Sequence, residues 1–312
     1  MKILVTGGAG FIGSHLTESL LSKGHDVVIY DSFSRDALKY ASLPKQPQKI
    51  VGDVLDGEKL AQAATGCDAI IHLAAIAGVS SVVSSPVKVM DVNYLGTRNA
   101  LLAAKNVSRF IFFSTSEVYG QYADNVSENS PTVQGPVTES RWSYAVSKIA
   151  GEHLCHAFFH EKATPIVCVR PFNIYGERQV GEGGVQKMAC KALQGNDVVV
   201  NGDGSQTRAW CHVSDLVAGV NACLEKKNAV GKSFNIGNPQ AAVSVKELAQ
   251  KIISLSGSES KIVFRKIDYP EVYKRVPDIA FARGELGFFP KVSLEEGLEK
   301  TINWFKSSGA CK

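Results

Sequence analysis

Short apolar runs, mostly β-branched or aromatic, alternate with longer segments of helical periodicity through the first half of the chain. Segments 13–23, 87–105 and 143–161 have the spacing of apolar residues that is typical of helices. Near-continuous apolar strands that alternate with helices indicate a parallel sheet covered on both faces, which is an α/β fold. The predicted strands are residues 3–5, 27–31, 49–51, 69–73, 109–114 and 166–170.

The pattern changes after Pro171, where the apolar runs become shorter and richer in glycine. One further strand-and-helix stretch, at about 208–236, is predicted to return to the main sheet. We therefore expect a larger domain formed by residues 1–171 plus about 208–236. Residues at about 172–207 and 237–312 are expected to form a smaller α/β lobe, and the two units to share one cleft.

Composition excludes several classes of protein. The 312 residues carry a net charge of +4 and 45% hydrophobic residues, which is ordinary for a globular chain and too weakly basic to indicate nucleic-acid binding. No apolar run reaches the roughly 18 residues that a membrane helix needs. The first predicted strand begins at once, without room for a signal peptide, so we expect a cytoplasmic protein with no membrane partner.

The cysteines and histidines do not indicate a metal site or a disulfide framework. None of the seven cysteines forms a Cys-x-x-Cys pair, and most lie in apolar stretches, which predicts reduced, buried thiols. The helical spacing of His153, His156 and His160 is interpreted as a hydrated or interfacial face. We expect no metal ligands. The seven cysteines are residues 67, 155, 168, 190, 211, 223 and 311.

A glycine-rich segment, Thr6-Gly7-Gly8-Ala9-Gly10-Phe11-Ile12-Gly13, follows the first strand directly and begins a helix. Glycines at this spacing permit a tight turn and let backbone N–H groups approach a pyrophosphate at the positive end of the helix. Asp31 ends the second strand, where a carboxylate can bind ribose hydroxyls and repel a 2′-phosphate. The segment predicts a Rossmann-type doubly wound sheet that binds NAD rather than NADP, although Arg35 lies near Asp31 in the sequence.

Tyr144 and Lys148 are four residues apart and so lie on one face of a predicted helix. A tyrosine that acts as a base near pH 7 needs its pKa lowered by about three units, or roughly 4 kcal/mol. An ammonium about 4 Å away supplies roughly that energy at an effective dielectric constant of 20. We interpret the pair as a device that deprotonates a hydroxyl group during hydride transfer.

The chain resembles the extended short-chain dehydrogenase/reductases over essentially its whole length, and within them the nucleotide-sugar epimerase/dehydratase branch. The resemblance is carried by the glycine segment, the Tyr144 and Lys148 pair and several further motifs. These are His72-Leu73-Ala74-Ala75, Ser114-Thr115-Ser116-Glu117-Val118-Tyr119-Gly120, Arg170-Pro171-Phe172-Asn173, the stretch from Gly202 to Asp215, and Arg275-Val276-Pro277-Asp278.

The resemblance implies a tightly held NAD and a nucleotide-sugar substrate, with UDP favoured. Asp53 and Val54 would lie near the adenine, and Asn93 would support the catalytic Lys148. It also implies a homodimer through helices at about 88–104 and 143–160. The implied NAD-binding residues are Gly7, Gly10, Phe11, Ile12, Gly13, Asp31, Asp53, Val54, Leu73, Ala74, Ala75, Asn93, Tyr144 and Lys148. The implied binders of the substrate diphosphate are Asn173, Arg208 and Arg275.

Enzymes of this branch begin alike, and the fate of the oxidised sugar decides the overall reaction. By resemblance, Tyr144 takes the proton of the C4 hydroxyl while hydride passes to NAD, and Thr115 polarises the new ketone. Glu117 is predicted to act as the base at C5, which favours a 4,6-dehydratase. Ser116 stands where many dehydratases have the aspartic acid that protonates the leaving hydroxyl, so a water or Glu117 itself would serve.

Four alternatives stay open. A UDP-hexose 4-epimerase would need no base at C5. A UDP-glucuronate decarboxylase would share Thr115-Ser116-Glu117, but those enzymes usually have an arginine after the lysine, where this chain has Ile149. An ordinary dehydrogenase would release NADH instead of recycling it. A catalytically silent NAD-binding protein is disfavoured by the presence of both Tyr144 and Lys148.

Overall fold

The computed structural model describes residues 1–311. Its strands, in chain order, are β1 (Lys2–Thr6), β2 (Asp26–Asp31), β3 (Gln48–Val51), β4 (Ala69–His72), β5 (Arg109–Phe113), β6 (Tyr122–Val126), β7 (Ile166–Pro171), β8 (Ile174–Tyr175), β9 (Val198–Asn201), β10 (Thr207–Ala209), β11 (Cys211–His212), β12 (Lys232–Ile236), β13 (Ala242–Ser244), β14 (Ile262–Arg265) and β15 (Lys274–Pro277).

The α-helices are α1 (Phe11–Ser22), α2 (Gly57–Ala64), α3 (Val79–Ser84), α4 (Pro86–Met90), α5 (Gly96–Ala103), α6 (Ser143–Lys162), α7 (Gly184–Leu193), α8 (Val213–Glu225), α9 (Val245–Ser256), α10 (Ala280–Leu286) and α11 (Leu294–Ser308). A π-helical turn, Asp91–Leu95, joins α4 to α5, so that the chain is helical without a break from Pro86 to Ala103.

A seven-stranded parallel sheet forms the centre of the molecule. Its order is β12-β7-β5-β4-β1-β2-β3, and the chain leaves β1 in one direction before it returns to β4 on the other side. In a doubly wound sheet this reversal opens a crevice at the carboxyl ends of the two central strands. The predicted α/β fold is confirmed: the six predicted strands and the returning strand β12 all belong to this sheet.

Alternate residues of the sheet are buried on opposite faces, as the near-continuous apolar strands require. Ile3 and Val5 face the layer that contains α1 and α8, whereas Leu4 faces the layer that contains α2 and α5. All three side chains are completely buried. Burial of both faces explains the continuous apolar run Ile3–Val5 of β1.

The remaining elements form a smaller lobe beside the carboxyl ends of the strands. Helices α7, α9 and α11 pack around an apolar cluster that includes Leu248 and Leu298, next to the four-stranded sheet β13-β10-β15-β6. Two segments cross the division expected from the sequence. Strand β6 pairs with β15 of the lobe, while Ile279 and α10 pack on the core of the main sheet.

The expectation that all seven cysteines are reduced is wrong for two of them. Cys190 and Cys311 form a disulfide across 121 residues, with their Cα atoms 5.1 Å apart. Helix α7 and the segment after α11 pack together in the smaller lobe, and sequence spacing gives no sign of this proximity. The other five cysteines are free and buried.

Membrane-spanning helices and metal clusters are both absent from residues 1–311. No helix there combines the length and the apolar character needed to cross a bilayer. The same residues contain no group of three or more histidine, cysteine or acidic side chains placed to hold a metal ion.

Candidate active site

A cleft of about 590 Å³ opens where the sheet reverses direction, between the glycine segment and the smaller lobe. The glycines there are required by close packing. Gly7 has φ +72°, and a Cβ on it would lie 2.7 Å from the backbone nitrogen of Ala74. A Cβ on Gly13 would lie 2.2 Å from the carbonyl oxygen of Gly7. The turn therefore brings bare backbone to the floor of the cleft, which is the arrangement that a pyrophosphate needs.

Most of the predicted NAD-binding residues line this cleft, and Asn93 does not. The predicted residues on its surface are Gly7, Gly10, Phe11, Ile12, Gly13, Asp31, Asp53, Val54, Leu73, Ala74, Ala75, Tyr144 and Lys148. The structure adds a set that the sequence did not single out: Tyr30, Gly52, Lys88 and, from the smaller lobe, Gln179, Val180 and Glu182. No local motif marks these, because they reach the cleft only through the packing of separate elements.

Asp31 fits the role of a ribose ligand. Its two carboxylate oxygens accept the backbone N–H groups of Ala9 (2.9 Å) and Phe33 (2.8 Å), which fixes the carboxylate at the edge of the cleft. Burial raises the pKa of Asp31 above its ordinary value. Each oxygen of a carboxylate can accept a second hydrogen bond, so both ribose hydroxyls can still be bound. These residues fit the adenosine and pyrophosphate parts of NAD.

Lys148 lies at the inner end of the cleft beneath the end of β5. Its ammonium group donates to the carbonyl oxygen of Phe113 at 2.7 Å and lies 4.9 Å from the centre of the Phe112 ring. The side chain is almost completely buried, and this burial lowers the pKa of Lys148 to about 8. The group thus has a fixed position but a weakened hold on its proton.

The protein groups alone do not lower the pKa of Tyr144, contrary to the expectation from the sequence. Burial and the nearby charge of Glu117 raise the pKa of Tyr144 to about 12, although a hydrogen bond with Thr115 acts in the opposite direction. Lys148 is not among the main influences on this pKa, and its ammonium group donates to the carbonyl oxygen of Phe113. Catalysis requires a lower pKa of Tyr144, so the positive charge of the oxidised nicotinamide must contribute to lowering it when NAD is bound.

Asn93 forms no hydrogen bond with Lys148, although the resemblance implied that it would support that residue. It lies outside the lining of the cleft and contacts the cleft wall. It lies in the π-helical turn, a feature that often occurs at functional sites. Its side chain exchanges two hydrogen bonds with the backbone of Ile76 (2.8 and 3.1 Å) and donates to the Ser147 hydroxyl at 3.1 Å. Asn93 thereby joins the cleft wall to the helix that carries both Tyr144 and Lys148.

Glu117 lies between two arginines. Arg275 Nη1 is 2.6 Å from one carboxylate oxygen, and Arg141 Nη2 is 2.8 Å from the other. Burial by itself would raise the pKa of Glu117, but Arg275 and Arg141 outweigh it and lower that pKa to about 2. Glu117 is therefore a fixed negative charge, held beside Thr115, and Arg141 is a site residue that sequence reasoning missed.

The three predicted substrate-binding residues are brought close together at the border of the smaller lobe. Arg208 and Arg275 are directly opposite each other in the β10 and β15 pair. The Asn173 amide donates to the carbonyl oxygen of Ala209, next to Arg208, at 3.0 Å. Burial and the neighbouring Arg275 lower the pKa of Arg208 to about 10. Arg208 also pairs with Glu271 at 3.1 Å, and Arg275 pairs with Glu117. With Arg141, three arginines therefore stand against two carboxylates, an excess of positive charge that suits a diphosphate.

Comparison with known proteins agrees with this geometry. The model of the NAD dependent epimerase/dehydratase family matches residues 3–237. A UDP-N-acetyl-alpha-D-glucosaminuronate decarboxylase of Bacillus cytotoxicus is 40% identical, with 98% of this chain and 98% of that protein aligned. UDP-glucuronic acid decarboxylase 1 of Xenopus tropicalis is 35% identical over 98% of this chain and 72% of that protein.

Solved structures that resemble this chain are also enzymes of nucleotide sugars. UDP-glucuronic acid 4-epimerase from Bacillus cereus, in complex with UDP-glucuronic acid and NAD, superimposes with a TM-score of 0.91 at 33% identity, covering 99% of this chain and 100% of that one. UDP-glucose 4-epimerase from Thermotoga maritima, with UDP-glucose, gives 0.91 at 30% identity, covering 99% of each chain. The chain therefore belongs to the NAD-dependent epimerase/dehydratase family and is an NAD-dependent enzyme that acts on nucleotide sugars.

Proposed function

We propose that this enzyme decarboxylates the uronic acid of a UDP-sugar after transient oxidation at C4. The observation that carries this proposal is the position of Glu117 between Arg141 and Arg275. The proposal departs from the 4,6-dehydratase favoured by the sequence, which requires Glu117 to accept the C5 proton.

A carboxylate held by two arginines is a poor general base. Proton transfer is most effective when the pKa of the base lies near the working pH, and the two guanidinium groups lower the pKa of Glu117 to about 2. Both arginines donate hydrogen bonds to Oε1, at 2.6 Å from Arg275 and 3.0 Å from Arg141, whereas Oε2 lies 2.8 Å from Arg141 Nη2 without accepting a hydrogen bond. These contacts disfavour dehydration, because dehydration depends on removal of the C5 proton.

Decarboxylation does not need that base. With a ketone at C4, the C6 carboxylate is in the β position, so the electron pair of the C5–C6 bond can move toward the C4 oxygen as carbon dioxide leaves. Thr115 and Tyr144, which are hydrogen-bonded to each other, would donate hydrogen bonds to that oxygen and so stabilise its developing negative charge. A proton from solvent water then adds at C5, which restores the C4 ketone, and when hydride returns to C4 the Tyr144 hydroxyl gives its proton to the C4 oxygen. NAD supplies the acceptor, and later the donor, of the C4 hydride.

Arg141 supplies the cation that sequence reasoning did not find. The decarboxylase alternative was weakened by Ile149, which stands where an arginine usually follows the lysine. In the structure Arg141 is 6% exposed and lies three residues before Tyr144, next to Glu117. Arg141 and Arg275 together outweigh the single negative charge of Glu117, and we assign to Arg141 the carboxylate of the uronic acid, while Arg275 keeps its expected role toward the diphosphate.

The nature of the relatives supports the same substrate class. The protein of Bacillus cytotoxicus is described as a decarboxylase of UDP-N-acetyl-alpha-D-glucosaminuronate, and the Bacillus cereus structure contains UDP-glucuronic acid. The proposed substrate is accordingly a UDP-sugar that carries a carboxylate at C6.

A panel of nucleotide sugars tests the proposal. The purified enzyme is incubated separately with UDP-glucuronic acid, UDP-N-acetylglucosaminuronic acid, UDP-glucose and dTDP-glucose, and the masses of the products are measured by mass spectrometry. We expect loss of carbon dioxide from a uronic acid without added cofactor. Loss of water from a neutral hexose would establish a 4,6-dehydratase, and an isomer of unchanged mass would establish a 4-epimerase.

We also propose a homodimer through the helical segment 86–103 and α6. Four apolar side chains on these helices are exposed, namely Val87, Leu95, Leu102 and Val146. Val87, Leu95 and Leu102 recur at intervals of eight and seven residues, which places them on one face. Light scattering coupled to gel filtration is expected to give twice the chain mass, and Leu95→Glu with Leu102→Glu is expected to give the monomer.

The proposed reaction makes the enzyme a lyase, and we propose a cytoplasmic location. Five of the seven cysteines are free and buried, which supports that location since thiols persist in reducing compartments, and the Cys190–Cys311 disulfide is the exception to this pattern. Cell fractionation with an antibody to the chain tests it, and recovery outside the cytoplasmic fraction would contradict it.

A further inference from the structure

A loop of the smaller lobe, residues 176–183 between β8 and α7, forms one wall of the NAD cleft. Gln179, Val180 and Glu182 of this loop line the cleft opposite the dinucleotide turn. Gly176 and Gly181 have φ values of +155° and +94°, and Arg178 has φ +60°, so the loop makes several turns that extended backbone cannot make. Such a loop keeps its shape only if its side chains are anchored.

One anchor joins the loop to α1, the helix that begins in the dinucleotide turn. Arg178 is buried and donates from Nη2 to His15 Nδ1 and to the Glu18 carboxylate. His15 Nε2 in turn donates to the carbonyl oxygen of Glu177 at 2.9 Å. Burial and Arg178 lower the pKa of His15 to about 4, so the ring is neutral and can accept and donate in this way.

The second anchor is Glu182, which connects three separate elements. Its carboxylate accepts the Ser81 hydroxyl and, at 3.2 Å, the backbone N–H of Ser80, both at the start of α3. Arg35, from the segment after β2, lies 3.6 Å from the same carboxylate. The Glu182 side chain is 18% exposed, whereas Arg35 is 49% exposed, so the hydrogen bonds from Ser80 and Ser81 contribute more than the ion pair.

We propose that Glu182 is a latch that holds the 176–183 loop over bound NAD and slows the release of NAD. With Arg178 fastened to α1 and Glu182 fastened to α3, the loop joins the helices that follow β1 and β4, which are the two sides of the cleft. An enzyme that returns its hydride to the same sugar gains nothing from releasing the cofactor between the two transfers. Slow release is the property that this geometry provides.

The test measures exchange of the cofactor and does not depend on turnover. The enzyme is purified with its NAD, mixed with an excess of radiolabelled NAD, and the rate at which label enters the protein is followed. Glu182→Ala is expected to raise the exchange rate on the order of tenfold, because a charge-assisted pair of hydrogen bonds is lost. Glu225→Gln is the matched control, since it breaks an exposed ion pair with Lys23 away from the cleft and is expected to leave exchange within about twofold.

Variants at Ser81 separate a latch from a general loss of structure. Ser81→Ala is expected to accelerate exchange like Glu182→Ala, whereas Ser81→Thr keeps the hydroxyl and is expected to restore slow exchange. The double variant Glu182→Ala with Ser81→Ala is expected to exchange no faster than Glu182→Ala, because both changes open the same contact. Exchange at the rate of the unchanged enzyme in Glu182→Ala, or equal acceleration by the Glu225→Gln control, would overturn the proposal.

Discussion

The cofactor end and the sugar end of the site present different kinds of chemical group to their ligands. At the cofactor end the ligand-facing groups are backbone atoms of a glycine turn together with one carboxylate, Asp31, which is itself fixed by backbone N–H groups. At the proposed sugar end, which lies next to the cofactor cleft and outside its lining, they are charged side chains, and Glu117 pairs there with Arg141 and Arg275. Backbone groups suit a cofactor that is common to a large family, whereas side chains can be exchanged one at a time. Under the proposed function, the sugar end determines which reaction the C4 ketone undergoes.

Tyr144 lies where the two ends meet, and its removal is expected to have the largest effect. Tyr144→Phe removes the proton acceptor and should lower kcat by about a thousandfold, within the range of general acid–base catalysis. NAD content per chain should not change, since the hydroxyl contributes nothing to the adenosine or pyrophosphate sites. Tyr122→Phe, on a side chain that is 70% exposed, serves as the matched control. A Tyr144→Phe enzyme that retained full turnover would refute its catalytic role.

A variant of Arg141 is expected to impair the use of the sugar substrate without affecting the binding of NAD. Arg141→Gln removes the cation that is proposed to hold the uronic acid carboxylate, and kcat/KM for that substrate should fall roughly a hundredfold, which corresponds to about 2.7 kcal/mol. The rate of NAD exchange should be unaffected, because Arg141 does not line the cofactor cleft. An equal loss of NAD binding would mean that the two ends are not independent.

Glu117 is expected to affect the stability of the fold, in a way that depends on pH. Because the pKa of Glu117 is about 2 in the folded protein and ordinarily 4.5, the ionised group stabilises the fold above pH 4.5. That contribution, on the order of 3 kcal/mol, is lost as the pH falls from 4.5 to 2. Urea unfolding should show Glu117→Gln to be destabilised at pH 7, with the difference narrowing in acid. A difference that stayed constant with pH would contradict the paired geometry.

The sequence was informative where neighbouring residues alone decide the structure. The glycine turn, the position of Asp31 at the end of β2 and the seven parallel strands follow from local spacing and apolar runs, and the structure contains each of them. The spacing of Tyr144 and Lys148 was equally clear, but the electrostatic surroundings that set the pKa of Tyr144 were not.

The features that could not be predicted depend on contacts between distant segments. Glu117 and Arg275 are 158 residues apart, and Ser81 and Glu182 are 101 apart. The Cys190–Cys311 bond likewise depends on the packing of α7 against the last helix. Arg141 could not be predicted for a different reason. It lies close to Tyr144 in the sequence, but only its burial against Glu117 distinguishes it from a surface arginine.

Isotope labelling tests most directly whether the arginine-flanked site removes a carboxylate. The enzyme is given a UDP-uronic acid labelled with carbon-13 at C6, in deuterium oxide, and the gas and the nucleotide sugar are analysed together. The account predicts labelled carbon dioxide and a UDP-pentose with one deuterium at C5. Retention of the label in the sugar, with or without loss of water, would contradict it.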